Sequence, residues 1–77
     1  TLAKQYLDAL GGSENIKEID SCITRIRLVL KSNKELDEGA FKSLGASGLL
    51  KAGNQVTQVI VGTKAELLVD AMKKLIK

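Results

Sequence analysis

Eight residues read Thr24-Arg25-Ile26-Arg27-Leu28-Val29-Leu30-Lys31 and alternate cleanly between two kinds of side chain. Successive side chains of a β-strand point to opposite faces of its sheet. Ile26, Leu28 and Leu30 would therefore point to one face. The two arginines and the valine would point to the other. The segment predicts a strand that is buried on one face and carries two arginines on the outside.

The chain before this strand predicts a second strand and a helix. Ile16 to Asp20 is short and β-compatible, and a tight loop around residues 21–23 would make it an antiparallel partner. Further back, apolar residues recur at the spacing of one helix face: Leu2, Ala3, Tyr6, Leu7 and Leu10. Gly11-Gly12 is typical of a helix end. We therefore predict a first helix over about residues 2–10.

The chain after the strand predicts a short second helix. Asp37 is a suitable N-cap residue because its carboxylate can accept from a free amide of the first turn. Leu36 and Phe41 have the spacing of a hydrophobic staple around that cap. We expect this helix to run to about Leu44 and to end at Gly45.

The last third of the chain predicts a second strand pair and a third helix. Gly48–Ala52 and Val56–Val61 are the strands, joined by a three-residue turn. Thr63 and Glu66 have the spacing of a capping box, with Thr63 as the cap. The helix that follows would bury an apolar stripe made of Ala65, Leu68, Met72 and Leu75.

These elements predict an α+β fold in the order α-β-β-α-β-β-α. Short loops make each strand pair an antiparallel hairpin. A four-stranded antiparallel sheet with three helices on one face is the simplest way to bury the apolar stripes. The other face of the sheet would then meet water, as the outward arginines require.

Composition limits the classes of protein that this chain can be. Its 77 residues are 44% apolar, enough for the core of one domain, residues 1–77, and no apolar run approaches the ~20 residues of a membrane helix. The net charge of +3 is mild and dispersed apart from the lysines at positions 73, 74 and 77, and aromatic residues are scarce. Nucleic acid is therefore not an expected partner. One free thiol fits the reducing cytoplasm, and a start at Thr1 suggests a domain excised from a larger protein.

Cys22, the only cysteine, precedes the two arginines by three and five positions. Two nearby guanidinium groups favour the thiolate, which is the nucleophilic form. The same groups can hold a phosphoryl group bidentately. Amides of Ile23, Thr24 and Arg25 at a strand end can form an anion-binding nest, with the Thr24 hydroxyl as a further donor. The loop therefore predicts phosphoryl transfer through sulfur, without a metal or another cofactor.

Each of these residues also has a plainer interpretation. A lone cysteine is often buried filler, and the outward arginines alone could be a solvated sheet face. Asp20 could cap loop amides, orient an arginine or assist the donor-side chemistry. Gly62 and Thr63 begin a helix and could bind an anion, but a capping box explains Thr63 without a ligand.

The segment Asp20-Ser21-Cys22-Ile23-Thr24-Arg25-Ile26-Arg27 resembles the phosphorylation-site signature of the IIB domains of the bacterial sugar phosphotransferase system, glucose/N-acetylglucosamine type. That signature commonly runs Asp-x-Cys-x-Thr-Arg-Leu-Arg, so Ile26 stands in place of leucine. The similarity spans nearly the whole chain and includes three further segments: Gly11-Gly12 with Asn15-Ile16, Leu44-Gly45-Ala46-Ser47-Gly48, and Val61-Gly62-Thr63-Lys64.

The resemblance implies a mechanism and partners. A phosphohistidine of a IIA protein would phosphorylate Cys22, which would pass the group to a sugar held by a membrane-embedded IIC domain. Arg25 and Arg27 would serve the transfer of the phosphoryl group from Cys22 to the sugar, and Gly62 would shape the docking surface near the loop. The domain would belong to a permease and lie at the cytoplasmic face of the bacterial inner membrane.

Two other functions are compatible with an exposed thiol. A regulatory or redox-sensing module would use Cys22 without a phosphodonor. A tyrosine phosphatase also forms phosphocysteine, but its Cys-x5-Arg loop closes onto a helix, whereas here Arg25 comes too early and a strand follows. The phosphoryl carrier and the sensor remain open, with the carrier preferred.

Overall fold

Three helices and four strands alternate along residues 1–76, the part of the chain that the computed structural model describes. In chain order they are α1 (Leu2–Ala9), β1 (Ile16–Ser21), β2 (Arg25–Leu30), α2 (Glu38–Ser43), β3 (Gly48–Ala52), β4 (Val56–Ile60) and α3 (Ala65–Leu75). Two short 3₁₀ turns, Ser13–Asn15 and Gly62–Lys64, precede β1 and α3. The predicted α-β-β-α-β-β-α order is confirmed, and the predicted element bounds hold to within one or two residues.

The sheet is antiparallel throughout, with the strands in the order β1-β2-β4-β3. Each hairpin therefore contributes one central strand, and β2 pairs with β4 between the two hairpins. In this register Arg25 lies opposite Ile60, and Arg27 lies between Asp20 of β1 and Gln58 of β4. The pairing brings the chain before β2 close to the chain after β4.

The core lies on one face of the sheet, as the alternation of β2 predicts. Ile26, Leu28 and Leu30 are buried, and so is Val59 on the neighbouring strand. The helices cover this face, with α3 contacting β1 and β2, and α2 contacting β3. Full burial of each such aliphatic side chain contributes about 1.5–3 kcal/mol, so β2 is held firmly by its inner face. The opposite face carries Arg25 and Arg27, as predicted.

The predicted ends of the first two helices are also confirmed. Beyond α1, Gly11 and Gly12 adopt φ values of +96° and +87°, and the Gly12 amide donates to the Leu7 carbonyl at 2.8 Å. Asp37 caps α2 through a carboxylate oxygen that accepts from the Gly39 amide at 3.0 Å. Both signals are local, because each depends on residues within five positions of one another.

Two predictions for the last helix are wrong. Thr63 is not its cap: it lies inside the 3₁₀ turn Gly62–Lys64, whose backbone already binds the Ala65 amide to the Gly62 carbonyl, and the cap position falls to Lys64. Leu75 is 49% exposed, whereas Val69 is buried. The buried stripe follows a helix of 3.6 residues per turn, so ten residues after its start Leu75 has rotated to the stripe's edge.

No helix within residues 1–76 is both long enough and apolar enough to cross a membrane. The predicted lysine-rich end is exposed at Lys73 and Lys74, and Lys77 lies outside the described residues.

Candidate functional site

The loop between β1 and β2, residues 22–24, forms the tip of the first hairpin and is called the Cys22 loop below. The Cys22 amide donates to the Arg25 carbonyl at 2.8 Å and closes the loop. The Cys22 side chain is exposed, and the neighbouring Ile23 is 86% exposed. The sulfur is therefore accessible to a partner and is not buried filler.

The Cys22 loop is anchored to the second hairpin by main-chain atoms. The Thr24 carbonyl accepts from the Val61 amide at 3.0 Å and from the Gly62 amide at 2.9 Å. Gly62 has a φ of +71°, a conformation that costs glycine little and other residues more. The turn between β4 and α3 thereby holds the loop in place, and Gly62 lies beside the site as the resemblance implies.

Two adjacent amides of the Cys22 loop have no acceptor within residues 1–76. The N–H groups of Ile23 and Thr24 make no hydrogen bond to backbone or side chain, and both residues are exposed. Consecutive open amides at a turn form the kind of concavity that binds anions. Arg25 begins β2, and its carbonyl closes the loop. Phosphate binding by these three residues stays a prediction that this geometry favours.

The two arginines share the outer face but have different neighbours. Arg27 is exposed, and its Nη1 lies 3.9 Å from the Cys22 sulfur, a long contact with a weak acceptor. Arg25 is half-buried, and its Nη1 donates to Oε1 of Gln58 at 2.8 Å. One guanidinium therefore lies beside the nucleophile while the other is held on the sheet by an amide side chain.

Asp20 uses its carboxylate locally. Its Oδ1 accepts from the Ser21 amide at 2.8 Å. Although Asp20 lies directly across from Arg27, no ion pair within 4.0 Å joins them among the described side chains. Of the three roles considered from the sequence, this geometry favours capping, here of the Ser21 amide at the end of β1.

Thr63 and Gln58 differ most from the sequence-based expectation. Thr63 is exposed, and in residues 1–76 its hydroxyl makes no hydrogen bond. Gln58 was missed entirely. A polar side chain in the middle of an apolar strand was the available signal, but only the pairing of β4 with β2 brings it beside the arginines.

A shallow groove lies on the open face of the sheet beside Arg27. It has a volume of about 310 Å³ and is lined by Glu18, Ile19, Asp20, Arg27, Leu28, Val29, Val56, Thr57 and Gln58. Two larger grooves, of about 570 and 430 Å³, lie around the end of α1, and none of the three grooves is lined by a residue of the Cys22 loop. Over residues 1–76, no group of three or more His, Cys, Asp or Glu side chains could hold a metal ion.

Known proteins match both the sequence and the fold. A family model described as "phosphotransferase system, EIIB" matches residues 4–37, which include the Cys22 loop. The N-acetylglucosamine-specific EIICBA components of Klebsiella pneumoniae and Escherichia coli are each 49% identical over 75 residues, 97% of this chain. The N-acetylglucosamine-specific EIICB component of Bacillus subtilis is 41% identical over 71 residues, 92% of this chain.

These relatives are much longer proteins: the chain covers 12% of the two EIICBA components and 16% of the EIICB component. Among solved structures, a domain of a phosphotransferase-system IIabc component from Clostridium difficile matches with a TM-score of 0.78. The match covers 96% of this chain and 77% of that one at 23% identity, so it supports the fold. With an EIIB family model on its cysteine loop and relatives at 49% identity over nearly its whole length, this chain belongs to the EIIB family of the phosphotransferase system.

Proposed function

We propose that this chain is a phosphoryl carrier that takes a phosphoryl group from a IIA phosphohistidine onto Cys22 and passes it to a sugar. N-acetylglucosamine is the first candidate sugar, because the relatives at 41–49% identity are named for it. Glucose is the second, because the resemblance is to the glucose/N-acetylglucosamine type. The sugar would be bound by a IIC membrane domain during its uptake.

The first step moves the group onto sulfur. The Cys22 thiolate attacks phosphorus, the N–P bond of the phosphohistidine breaks, and the released imidazole nitrogen takes up a proton. The chain contains no histidine, so the donor has to be supplied by another domain or protein. Exposure of the sulfur at a hairpin tip supports such an intermolecular attack.

The second step moves the group from sulfur to sugar. A sugar hydroxyl attacks phosphorus, the S–P bond breaks, the thiolate is regenerated and the hydroxyl proton is released. Phosphoryl transfer depends mainly on positioning and on neutralising charge. Arg27 beside the sulfur, Arg25 on the same face and the open amides of Ile23 and Thr24 would supply both.

One observation favours the carrier over the redox sensor: the exposed Cys22 sulfur has a guanidinium 3.9 Å away, and two amides of the same loop have no acceptor within residues 1–76. A sulfur that only reacts with peroxide needs an accessible thiolate but no site for a tetrahedral dianion. The arrangement has donors for phosphate oxygens as well as a nucleophile.

We further propose that the chain works as one domain of a larger permease. The relatives are named EIICBA and EIICB components, and this chain covers only 12–16% of their length. In that setting the domain would lie at the cytoplasmic face of the bacterial inner membrane, with IIA and IIC as its partners. Gly62 and Ile23 would belong to the surface that meets the donor.

Mass spectrometry tests the carrier function. The chain is incubated with phosphoenolpyruvate, the general phosphotransferase proteins and a IIA donor, and we expect a gain of about 80 Da, one phosphoryl group, on Cys22. Cys22→Ser, checked for folding by circular dichroism, should show no gain. A donor that phosphorylates another EIIB domain in parallel is the control. No gain with that donor would overturn the carrier and favour the sensor.

A further inference from the structure

Among residues 1–76, Gln58 is the side chain that hydrogen-bonds Arg25, and the pair lies on the open face of the sheet. Arg25 and Gln58 lie on adjacent central strands, two positions apart in the register, and both are half-buried. Their hydrogen bond joins Nη1 to Oε1 at 2.8 Å, a short distance for a bond to a charged donor. Arg27, by contrast, is exposed and contacts the Cys22 sulfur.

The chemistry of the pair determines how Gln58 is oriented. A guanidinium has only donors, so it can bind only the carbonyl oxygen of the side-chain amide. The Gln58 Nε2 group is thereby turned away from Arg25 and has no acceptor in residues 1–76. A carboxylate in the same place would also bind Arg25 but would neutralise its charge. A neutral acceptor fixes the direction of the guanidinium and leaves its full charge available to a phosphoryl group.

We infer that Gln58 is a positioning residue for phosphoryl transfer to sugar, acting by orienting Arg25; the inference rests on the proposed function. An arginine side chain has several rotatable bonds, and ordering it during the reaction costs free energy that prior positioning removes. The hydrogen bond from Gln58 already orders the Arg25 side chain in the resting protein, before the reaction begins. It therefore acts on the step that uses Arg25, the transfer to sugar, and not on attack by the sulfur on the donor.

The test separates the two steps. Gln58→Met keeps nearly the same length and removes the acceptor. Phosphocysteine formation is measured by mass, and transfer to N-acetylglucosamine is measured with membranes containing a permease whose own EIIB cysteine is replaced by serine. We expect formation to stay within twofold of wild type and transfer to fall on the order of tenfold, the factor expected for one hydrogen bond to a charged group. In NMR spectra of Gln58→Met, the resonances of the Arg25 guanidinium should move to the chemical shifts of a freely rotating arginine side chain.

Three comparisons distinguish positioning from a general structural effect. Val56→Met places the same side chain on the same strand and face without touching an arginine acceptor, and it should transfer normally. If Gln58→Met folds poorly, Gln58→Asn replaces it in the test. Asparagine withdraws the amide from Arg25 by one methylene, so the same loss of transfer to sugar is expected. In a double-mutant cycle, Arg25→Lys with Gln58→Met should be no slower than Arg25→Lys alone.

The outcomes are decisive in each direction. Normal or faster transfer by the Gln58 variants, or effects that multiply with Arg25→Lys, would overturn the positioning role. Loss of phosphocysteine formation together with transfer would do the same, since it would place Gln58 upstream of Arg25. If the wild-type chain itself is never phosphorylated by an active donor, the proposed function fails instead, and that result is visible in the first assay alone.

Discussion

The two hairpins of this domain treat their tips in opposite ways. In the second hairpin, residues 53–55 form a turn whose three carbonyls all accept hydrogen bonds, that of Gln55 from the Leu30 amide at 2.8 Å. The buried Asn33 side chain lies within hydrogen-bond distance of the Gly53 and Val56 carbonyls and the Thr57 hydroxyl, at 3.1–3.3 Å. The main-chain amide of Asn33 donates to the Asn54 carbonyl at 2.9 Å. In the first hairpin, only the Thr24 carbonyl of the Cys22 loop accepts a hydrogen bond from residues 1–76, and the three side chains of the loop are exposed.

The difference separates a tip built for stability from one built for binding. Buried polar groups have to be paired, because an unpaired one costs about 1–3 kcal/mol. An exposed loop can leave donors open to water and exchange water for a ligand later. The Cys22 loop keeps its shape with one anchored carbonyl, that of Thr24, so its remaining polar groups are available for a phosphoryl group.

The largest effect should come from Cys22→Ser. We expect phosphorylation by the IIA donor to disappear, because a serine hydroxyl is not ionised at neutral pH. The free energy of unfolding should change by less than about 0.5 kcal/mol, as is usual for an exposed side chain outside the core. Mass spectrometry and urea denaturation measure the two quantities. A variant that remains phosphorylated, or one that unfolds, would contradict the division between the two tips.

Asn33→Ala should have the opposite effect, lowering the stability of the domain and leaving phosphorylation unchanged. It removes the side chain that binds the second turn, and we expect a loss of about 2 kcal/mol in the free energy of unfolding. The fraction that stays folded should be phosphorylated at the wild-type rate. Asn54→Ala is the matched control, since only the main chain of Asn54 takes part, and it should be close to neutral. Equal stability of the two variants would show that the Asn33 contacts contribute little.

Arg25→Lys and Arg27→Lys test the clamp on the outer face. Lysine keeps the charge but lacks the planar fork, so both variants should still accept phosphate and pass it to sugar on the order of tenfold more slowly. The acceptance step in each variant is its internal control. Normal transport by both variants would refute the clamp and leave the loop amides as the only proposed phosphate ligands.

The smallest effect should come from alanine substitution of two glycines that both adopt a positive φ. Gly62 and Gly53 have φ values of +71° and +77°, and an added Cβ would meet no neighbouring atom at either position. Gly62→Ala and Gly53→Ala should therefore each cost about 1 kcal/mol of stability. Only Gly62→Ala should slow phosphorylation, by at most about fivefold, because only that turn anchors Thr24. Equal phosphorylation rates would mean that the anchor does not shape the site.

Local patterns were enough to predict most of the fold. The alternation from Ile26 to Leu30 identified the buried face of β2, and Asp37 identified the start of α2, because both signals depend on neighbouring residues. The Cys22 loop was found for the same reason, since its cysteine and arginines are adjacent in sequence. The errors at Thr63 and Leu75 arose where a 3₁₀ turn shifted the start of α3 and where the stripe drifted along it.

Features that depend on pairing between the hairpins could not be predicted. Neither the strand order β1-β2-β4-β3 nor the register that sets Gln58 beside Arg27 leaves a trace in any short segment. Packing of the shared core decides that register, since a slip by one residue would turn the buried side chains of β4 outward. Asn33 was likewise overlooked, because its partners lie 20 to 24 positions away.

The anchoring of the Cys22 loop through the Thr24 carbonyl also determines which parts of the site can vary. A main-chain oxygen is the same whatever side chain its residue carries, and Ile23 contributes nothing to the core at 86% exposure. Replacing Ile23 therefore changes what a partner meets without moving the sulfur or the open amides. Recognition and chemistry are encoded in separate atoms of three consecutive residues, so a carrier of this design can adapt to a new donor without rebuilding its nucleophile.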